Sequence, residues 1–221
     1  PSLLISNNDG LTEISLHDNI FVGNLATLFA NPSENLINSL VKLDISNNQF
    51  TGDLSALSSS IGTFTNLKTL NLGMQDFDHD STDMASSEVD WLTSILQQNP
   101  PVLEALDISS VGLHGSLSSA FMTGVANGLV SLDISDNNLS SDIPASVSSW
   151  NSLTTFDFSN NAFTSTLPAE LCTMPSINLI SAFPGNTGLT CYFPCLVPFL
   201  NGVITNSQNI DTCNSPSSSP S

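Results

Sequence analysis

The segment LDISNNQFTGDL, residues 43–54, places Leu43 and Ile45 on either side of an aspartate and follows them with Asn48, Phe50, Gly52 and Leu54. Alternation across Leu43–Ile45 reads as a short half-buried strand, because successive side chains of a strand point to opposite faces. Alone, the segment would be one strand and one turn. It is not alone.

The spacing LxxLxLxxNxLxGxL recurs along the chain. Leu11, Ile14, Leu16, Asn19, Phe21, Gly23 and Leu25 fit it, and so do Leu40, Leu43, Ile45, Asn48, Phe50, Gly52 and Leu54. A third copy has Leu67, Leu70, Leu72 and Phe77, with Gln75 in the asparagine place. The fourth has Leu103, Leu106, Ile108, Leu113, Gly115 and Leu117, with Val111 in that place. Leu132, Ile134, Asn137, Leu139, Ile143 and Pro144 make the fifth, and Leu153, Phe156, Phe158, Asn161, Phe163, Leu167 and Pro168 the sixth. A degenerate seventh passes through Ile177 and Ile180, and residues 3–8, LLISNN, resemble a fragment of another.

Physics accounts for the pattern. A coil of this size cannot bury its apolar edge alone, so neighbouring coils must stack on a shared core. Each asparagine can bond backbone groups inside its turn, and successive asparagines then form a ladder. The motifs resemble the leucine-rich repeat family, in its plant-type form with an LSGxIP ending. That resemblance implies an α/β solenoid: a right-handed superhelix with a parallel concave sheet, and short helices, 3-10 turns or extended segments on the convex side. It covers residues 1–190 in about seven repeats.

The period is uneven. The fifth and sixth copies are 24 residues apart, while other steps are longer, and the largest insertion falls at 78–102. Within it SSEVDWLTSILQQNPP reads as a helix, with Ser87 and Asp90 as a capping box, Val89, Leu92, Ile95 and Leu96 on one face, and Pro100 and Pro101 as the stop. A helix containing WL before a repeat is similar to plant receptor-like proteins.

Lys42 and Lys68 are the only basic residues against 20 acidic ones, giving a net charge of −18. Such a surface repels phosphate backbones and anionic membranes, so nucleic acid is not an expected partner. No apolar run reaches the ~18 residues of a membrane helix, and a chain opening on Pro1 without a signal peptide reads as a mature or trimmed product. Cys172, Cys191, Cys195 and Cys213 cluster near the C-terminus. Without a CxxC pair or a nearby histidine they read as disulfides in an oxidising compartment rather than as a zinc site. The spacing leaves all three pairings open.

The concave face is the usual binding surface of the family. Between the strand leucines stand Ser15, Asp44, Asn71, Asp107, Asp133 and Asp157; the next outward column is His17, Ser46, Gly73, Ser109, Ser135 and Ser159. This acidic, hydroxyl-rich stripe could meet a sugar, a cation or a basic peptide, and it is also what plant-type strands ordinarily spell. It has no Trp, Tyr or Arg anchors. In DFDHDSTD (76–83), Asp76, Asp78 and Asp80 open like a calcium loop, but Ser81 and Ser87 occupy the glycine and glutamate places. A solvated acidic loop fits better, so no metal and no cofactor are expected. His17, His79 and His114 fall in different coils without a nucleophile arrangement, which argues against an enzyme. Asn138-Leu139-Ser140 is a glycosylation sequon, whereas Asn31 is blocked by Pro32.

Residues 172–213 form the expected disulfide-stabilised cap, which resembles that of plant-type repeat proteins and, in its LPAELC start, the cap of LRR-extensin cell-wall proteins. The Ser/Pro stretch 214–221 is an extended tail able to accept O-linked sugars. Two functions follow as expectations. One is an extracellular module (secreted, cell-surface or wall-bound) that binds a protein, peptide or cell-wall glycan. The other is a structural glycoprotein that self-assembles end to end, since a cysteine-bearing N-terminal cap is missing from the sequence. Ice binding would need a regular threonine ladder, which is not evident.

Overall fold

A computed structural model describes residues 10–52, 61–75, 103–117, 128–201 and 210–213. The fragment at 3–8, the acidic loop 76–83, the helix expected within 78–102 and the tail 214–221 lie outside the described residues.

The elements run β1 (Glu13–Ser15), β2 (Val22–Asn24), α1 (Leu25–Leu28), α2 (Glu34–Ser39), β3 (Lys42–Asp44), β4 (Gln49–Thr51) and β5 (Thr69–Asn71). They continue with β6 (Ala105–Asp107), β7 (His114–Ser116), β8 (Ser131–Asp133), β9 (Asn138–Ser141), β10 (Thr155–Asp157) and β11 (Ala162–Thr166). The last are β12 (Leu179–Ser181), β13 (Gly188–Tyr192), β14 (Leu200–Asn201) and β15 (Asp211–Thr212). Strands β1, β3, β5, β6, β8, β10, β12 and β14 form one eight-stranded sheet in that order. All its pairings are parallel, as connections that return to the same edge once per coil require.

In-register pairing stacks equivalent residues. Ile14, Leu43, Leu70, Leu106, Leu132, Phe156 and Ile180 form one buried column. Ile45, Leu72, Ile108, Ile134, Phe158 and Ala182 are buried two residues further along each coil. Burying each large member is worth about 1.5–3 kcal/mol, and none could be buried without the coil on either side.

The asparagine ladder is present and explains the spacing from leucine to asparagine. Asn161 Nδ2 donates to the carbonyls of Phe158 (3.1 Å) and Ser159 (3.1 Å) in its own coil and Ile134 (2.9 Å) in the one before, while its Oδ1 accepts from Leu139 N–H (2.9 Å). Asn48 and Asn137 repeat the arrangement. Val111 cannot serve as a rung; there Asn137 Oδ1 also accepts from Val111 N–H at 3.2 Å. Gln75 does serve, with Nε2 on Ile45 O (2.6 Å) and Oε1 on Phe50 N–H (3.4 Å).

Just before each ladder position the chain turns left-handed. Asp18, Asn47, Met74, Ser110, Asp136 and Asn160 have φ between 50° and 58°, and Gly185 has φ 81°. Asn and Asp tolerate this region; Met does not have their short polar side chain to ease it. At Gly185 only glycine fits, since a β-carbon would fall on the Asn160 backbone, 2.7 Å from its nitrogen.

The convex side holds more order than extended segments alone. β7, β9, β11, β13 and β15 build a second parallel sheet of five strands, and β2 and β4 a two-stranded one. The LSGxIP segment supplies these strands, and the proline that ends it starts a 3-10 turn: Ala145–Ser149 after Pro144, and Ala169–Thr173 after Pro168. Each turn drops one residue, Val147 or Leu171, into the core. In the longer N-terminal coil, α2 takes that place, with Ser33 Oγ accepting from Leu36 N–H (3.2 Å) as its N-cap and Glu34 in the first turn.

Candidate ligand-binding face

Cross-strand register sets the predicted residues in one row. Ser15, Asp44, Asn71, Asp107, Asp133 and Asp157 are successive neighbours across β1, β3, β5, β6, β8 and β10. The row continues to Ser181 on β12, which the degenerate seventh repeat concealed; the frame of Ile180 and Ala182 is the signal that places it. His17 is exposed, and its Nδ1 lies 2.7 Å from Asp18 Oδ2.

Each aspartate of the row also has an internal duty. Asp107 Oδ1 accepts from Ser109 N–H (3.0 Å) and Ser109 Oγ–H (2.7 Å), which closes the bend after the strand. Asp133 does the same with Ser135 (2.9 and 2.6 Å), Asp157 with Ser159 (3.0 and 2.7 Å), and Asp44 with Ser46 (3.2 and 2.7 Å). Asn71 manages with one bond, accepting from Gly73 N–H at 3.0 Å. The serines are buried at Ser109, Ser135 and Ser159, and the carboxylates are half-buried above them.

Burial pushes the Asp133 carboxyl above the ordinary aspartate range. The bonds from Ser135 pull the other way, while the neighbouring charges of Asp107 and Asp157 add to the rise. The edge column of Glu13, Lys42, Thr69, Ala105 and Ser131 holds one lysine pair, Lys42 Nζ to Glu13 Oε1 at 2.7 Å; the other, Lys68 Nζ to Glu104 Oε1 at 2.8 Å, lies one residue earlier, just before β5 and β6. Among the described residues no His, Cys, Asp and Glu group is placed to hold a metal ion. No described helix is long and apolar enough to cross a membrane.

The leucine-rich-repeat family model matches residues 39–60, 128–150 and 152–174, and the parallel sheet carries the same repeat through the coils between. The chain has the leucine-rich-repeat solenoid fold. Solved structures with this fold include the Arabidopsis receptor kinase HAESA in complex with the peptide hormone IDA and the co-receptor SERK1. That match has a TM-score of 0.56 at 22% identity and covers 81% of this chain and 30% of the receptor. The plant peptide hormone receptor RGFR1 in complex with RGF2 gives 0.54 at 21% identity, with 83% and 28% covered. The PEPR1–AtPEP1 complex gives 0.53 at 20%, with 86% and 31% covered. The solenoid therefore spans less than a third of these receptor chains. No curated protein matches it by sequence.

At the C-terminal end of the solenoid, Cys172 pairs with Cys195 and Cys191 with Cys213. Both disulfides link one coil to the next. Cys172 lies on a 3-10 turn that faces the Pro194–Leu196 turn of the following coil, and Cys191 lies on β13 beside β15. Asn186 is a ladder residue that the sequence did not reveal. Its Nδ2 donates to Phe158 O and Ala182 O (both 2.9 Å), and its Oδ1 accepts from Phe163 N–H (3.0 Å). One extra residue between Ala182 and Asn186 hid it from the repeat frame. Asn138 is exposed on β9, one residue past the ladder and away from the concave row.

Proposed function

We propose that the chain is an extracellular, non-enzymatic recognition module that binds a protein or peptide across its concave sheet. The observation that carries this reading is the sheet itself: its side-chain row from Ser15 to Asp157 is polar and exposed or half-buried, and only Ser181 at its end is buried. Two disulfides fit an oxidising compartment, at the cell surface, in the wall or free. Of the solved structures named above, HAESA is in complex with the peptide hormone IDA, and RGFR1 is a peptide hormone receptor in complex with RGF2. We further propose N-glycosylation at Asn138, where a sugar would project from the flank and leave the concave row open.

The test uses the absence of free thiols among the described cysteines. A display library of random dodecapeptides is selected on the native chain. Ser131→Cys, on the concave edge column, and Asn138→Cys, on the flank, are each labelled with a bulky maleimide. The concave label should abolish peptide binding and the flank label should leave it intact; the reverse pattern would overturn the reading.

A second reading, a structural subunit that stacks end to end, draws on one observation. Ile20 is 81% exposed and Val22 67% exposed beside Phe21 on the first described coil. Light scattering that shows a monomer at every concentration would remove it.

A further inference from the structure

The last described coil is fastened to the solenoid at both of its ends. Cys195, in the 3-10 turn Pro194–Leu196 that opens it, is bonded to Cys172 of the coil before. Cys213, just past β15 that closes it, is bonded to Cys191 on β13. Its other ties are few among the described residues. β14 and β15 are two residues long, against three in β8, β10 and β12. Leu196 and Ile210 are its buried apolar side chains, and Phe199 and Leu200 are partly buried. The coil before it carries its own non-covalent hold. There Asn186 is a full rung, reaching Phe158 O, Ala182 O and Phe163 N–H, and Ile177, Ile180 and Leu189 are buried.

We infer that the Cys191–Cys213 bond is a reducible latch on this coil. The two disulfides are not equivalent. The backbone already joins the coil to β13 through Tyr192 and Phe193, so cutting Cys172–Cys195 leaves a ring closed from Cys191 to Cys213, 22 residues apart. Cutting Cys191–Cys213 frees β15 and lets the coil peel back toward Cys195, which becomes its pivot. The reductant is a small thiol or the CxxC pair of an oxidoreductase. Its thiolate attacks one sulfur of the bond and expels the other as a thiolate. A second thiol then resolves the mixed disulfide, so that both cysteines end reduced and the reductant ends as its own disulfide. Cys191 and Cys213 are half-buried beside the exposed Thr212, within reach of such a reagent. Opening uncovers the outer edges of β12 and β13, one in each sheet. Unpaired strand edges are surfaces on which another chain can pair.

The Ile180 N–H reports the state of the latch. It donates to Phe199 O at 2.7 Å, across the boundary with the last coil. One coil further in, Phe158 N–H donates to Ser181 O at 2.9 Å, and before that Ile134 N–H donates to Asp157 O at 2.9 Å. Amide hydrogen exchange of the full chain is followed by NMR before dithiothreitol, after it, and after reoxidation. Reduction should speed exchange at Ile180 by about tenfold or more, leave Phe158 and Ile134 within about twofold, and reverse on reoxidation. Two paired variants divide the effect. Cys191→Ser with Cys213→Ser should speed exchange at Ile180 as reduction does, whereas Cys172→Ser with Cys195→Ser should leave it within about twofold. An equal response to the two pairs would overturn the latch. So would exchange that rises together at Ile180, Phe158 and Ile134, because the coil would then not open by itself. Exchange at Ile180 that stays unchanged once a thiol count shows both bonds cut would overturn it as well. Should the serine variants fail to fold, the native chain under limiting dithiothreitol gives the same reading: mass mapping identifies which bond is open when Ile180 is freed, and Cys172–Cys195 alone would refute the assignment.

Discussion

The two ends of the solenoid are built to different rules. From β8 onward the coils keep step: Ser131 to Thr155 and Thr155 to Leu179 are each 24 residues. Earlier, the step is 29 residues from Glu13 to Lys42, 27 from Lys42 to Thr69 and 36 from Thr69 to Ala105. Among the described residues, the second sheet runs through five strands from β7 to β15, while in the N-terminal coils β2 pairs with β4 and a bridge joins Asn48 to Gln75. The C-terminal coils also hold a chain of aromatic contacts. Trp150 meets Phe156 edge-on at 5.4 Å, Phe156 lies 4.7 Å from Phe158, and Phe158 meets Phe163 edge-on at 5.8 Å. Both disulfides lie there too.

Five measurements would break or sharpen this contrast. The largest effect is expected from Phe156→Ala. It removes the centre of the aromatic chain from a fully buried site, and chemical denaturation should show a loss of about 3–5 kcal/mol. Leu43→Ala, at the equivalent place in the N-terminal half of the same column, removes an aliphatic side chain and no ring, and should cost less, at the lower end of about 2–5 kcal/mol. Equal losses would show that the aromatic chain adds nothing beyond burial.

Next is the cap. Replacing Cys191 and Cys213 together by serine opens a 22-residue loop and should cost about 3 kcal/mol. Proteolysis should then trim the chain from its C-terminal end and spare the coil of β3. The ladder offers a finer comparison. Asn161→Ala strands three carbonyls and one N–H, and should cost about 2–3 kcal/mol; Gln75→Ala strands one of each and should cost about 1 kcal/mol. If Gln75→Ala proves the more damaging, the N-terminal half is the better ordered of the two.

Much of this was legible beforehand. The leucine columns, Gln75 as a rung and the concave row follow from residue spacing alone, because a solenoid repeats one local solution and the pattern is read many times over. The second sheet was not legible, because its strands are short, largely exposed and free of an apolar alternation; only pairing with neighbours makes them strands. Asn186 was hidden by one added residue, and the disulfide partners by the equality of three pairings on paper. The internal duty of Asp107, Asp133 and Asp157 needed geometry, since a sequence shows a carboxylate but not the serine hydroxyl under it.

Smaller effects test the row. The Asp133 carboxyl holds its proton more tightly in the fold than in the open chain, so its contribution is fully present in acid and is lost as pH rises through and beyond the ordinary aspartate value. Asp133→Asn should therefore raise the melting temperature at neutral pH and leave it unchanged near pH 3; an equal shift at both would rule out the titration as its cause. The smallest change is a gain. Met74 is left-handed, with φ 52°, and Met74→Asn should stabilise the chain by about 0.5–1 kcal/mol. Thermal melts of the two proteins side by side would show it.

The scarcity of cations has a consequence for how this protein meets proteases. Trypsin cuts only after lysine and arginine, and here the two targets are Lys42, within β3, and Lys68, just before β5, each with its ammonium held by a glutamate. Folded, the chain should pass through a trypsin digest whole. Unfolded, this stretch should be cut only after Lys42 and Lys68, so that a tryptic map would leave most of it in long, seldom-seen pieces. Digestion with an enzyme that cuts after aspartate or leucine would bring it into view.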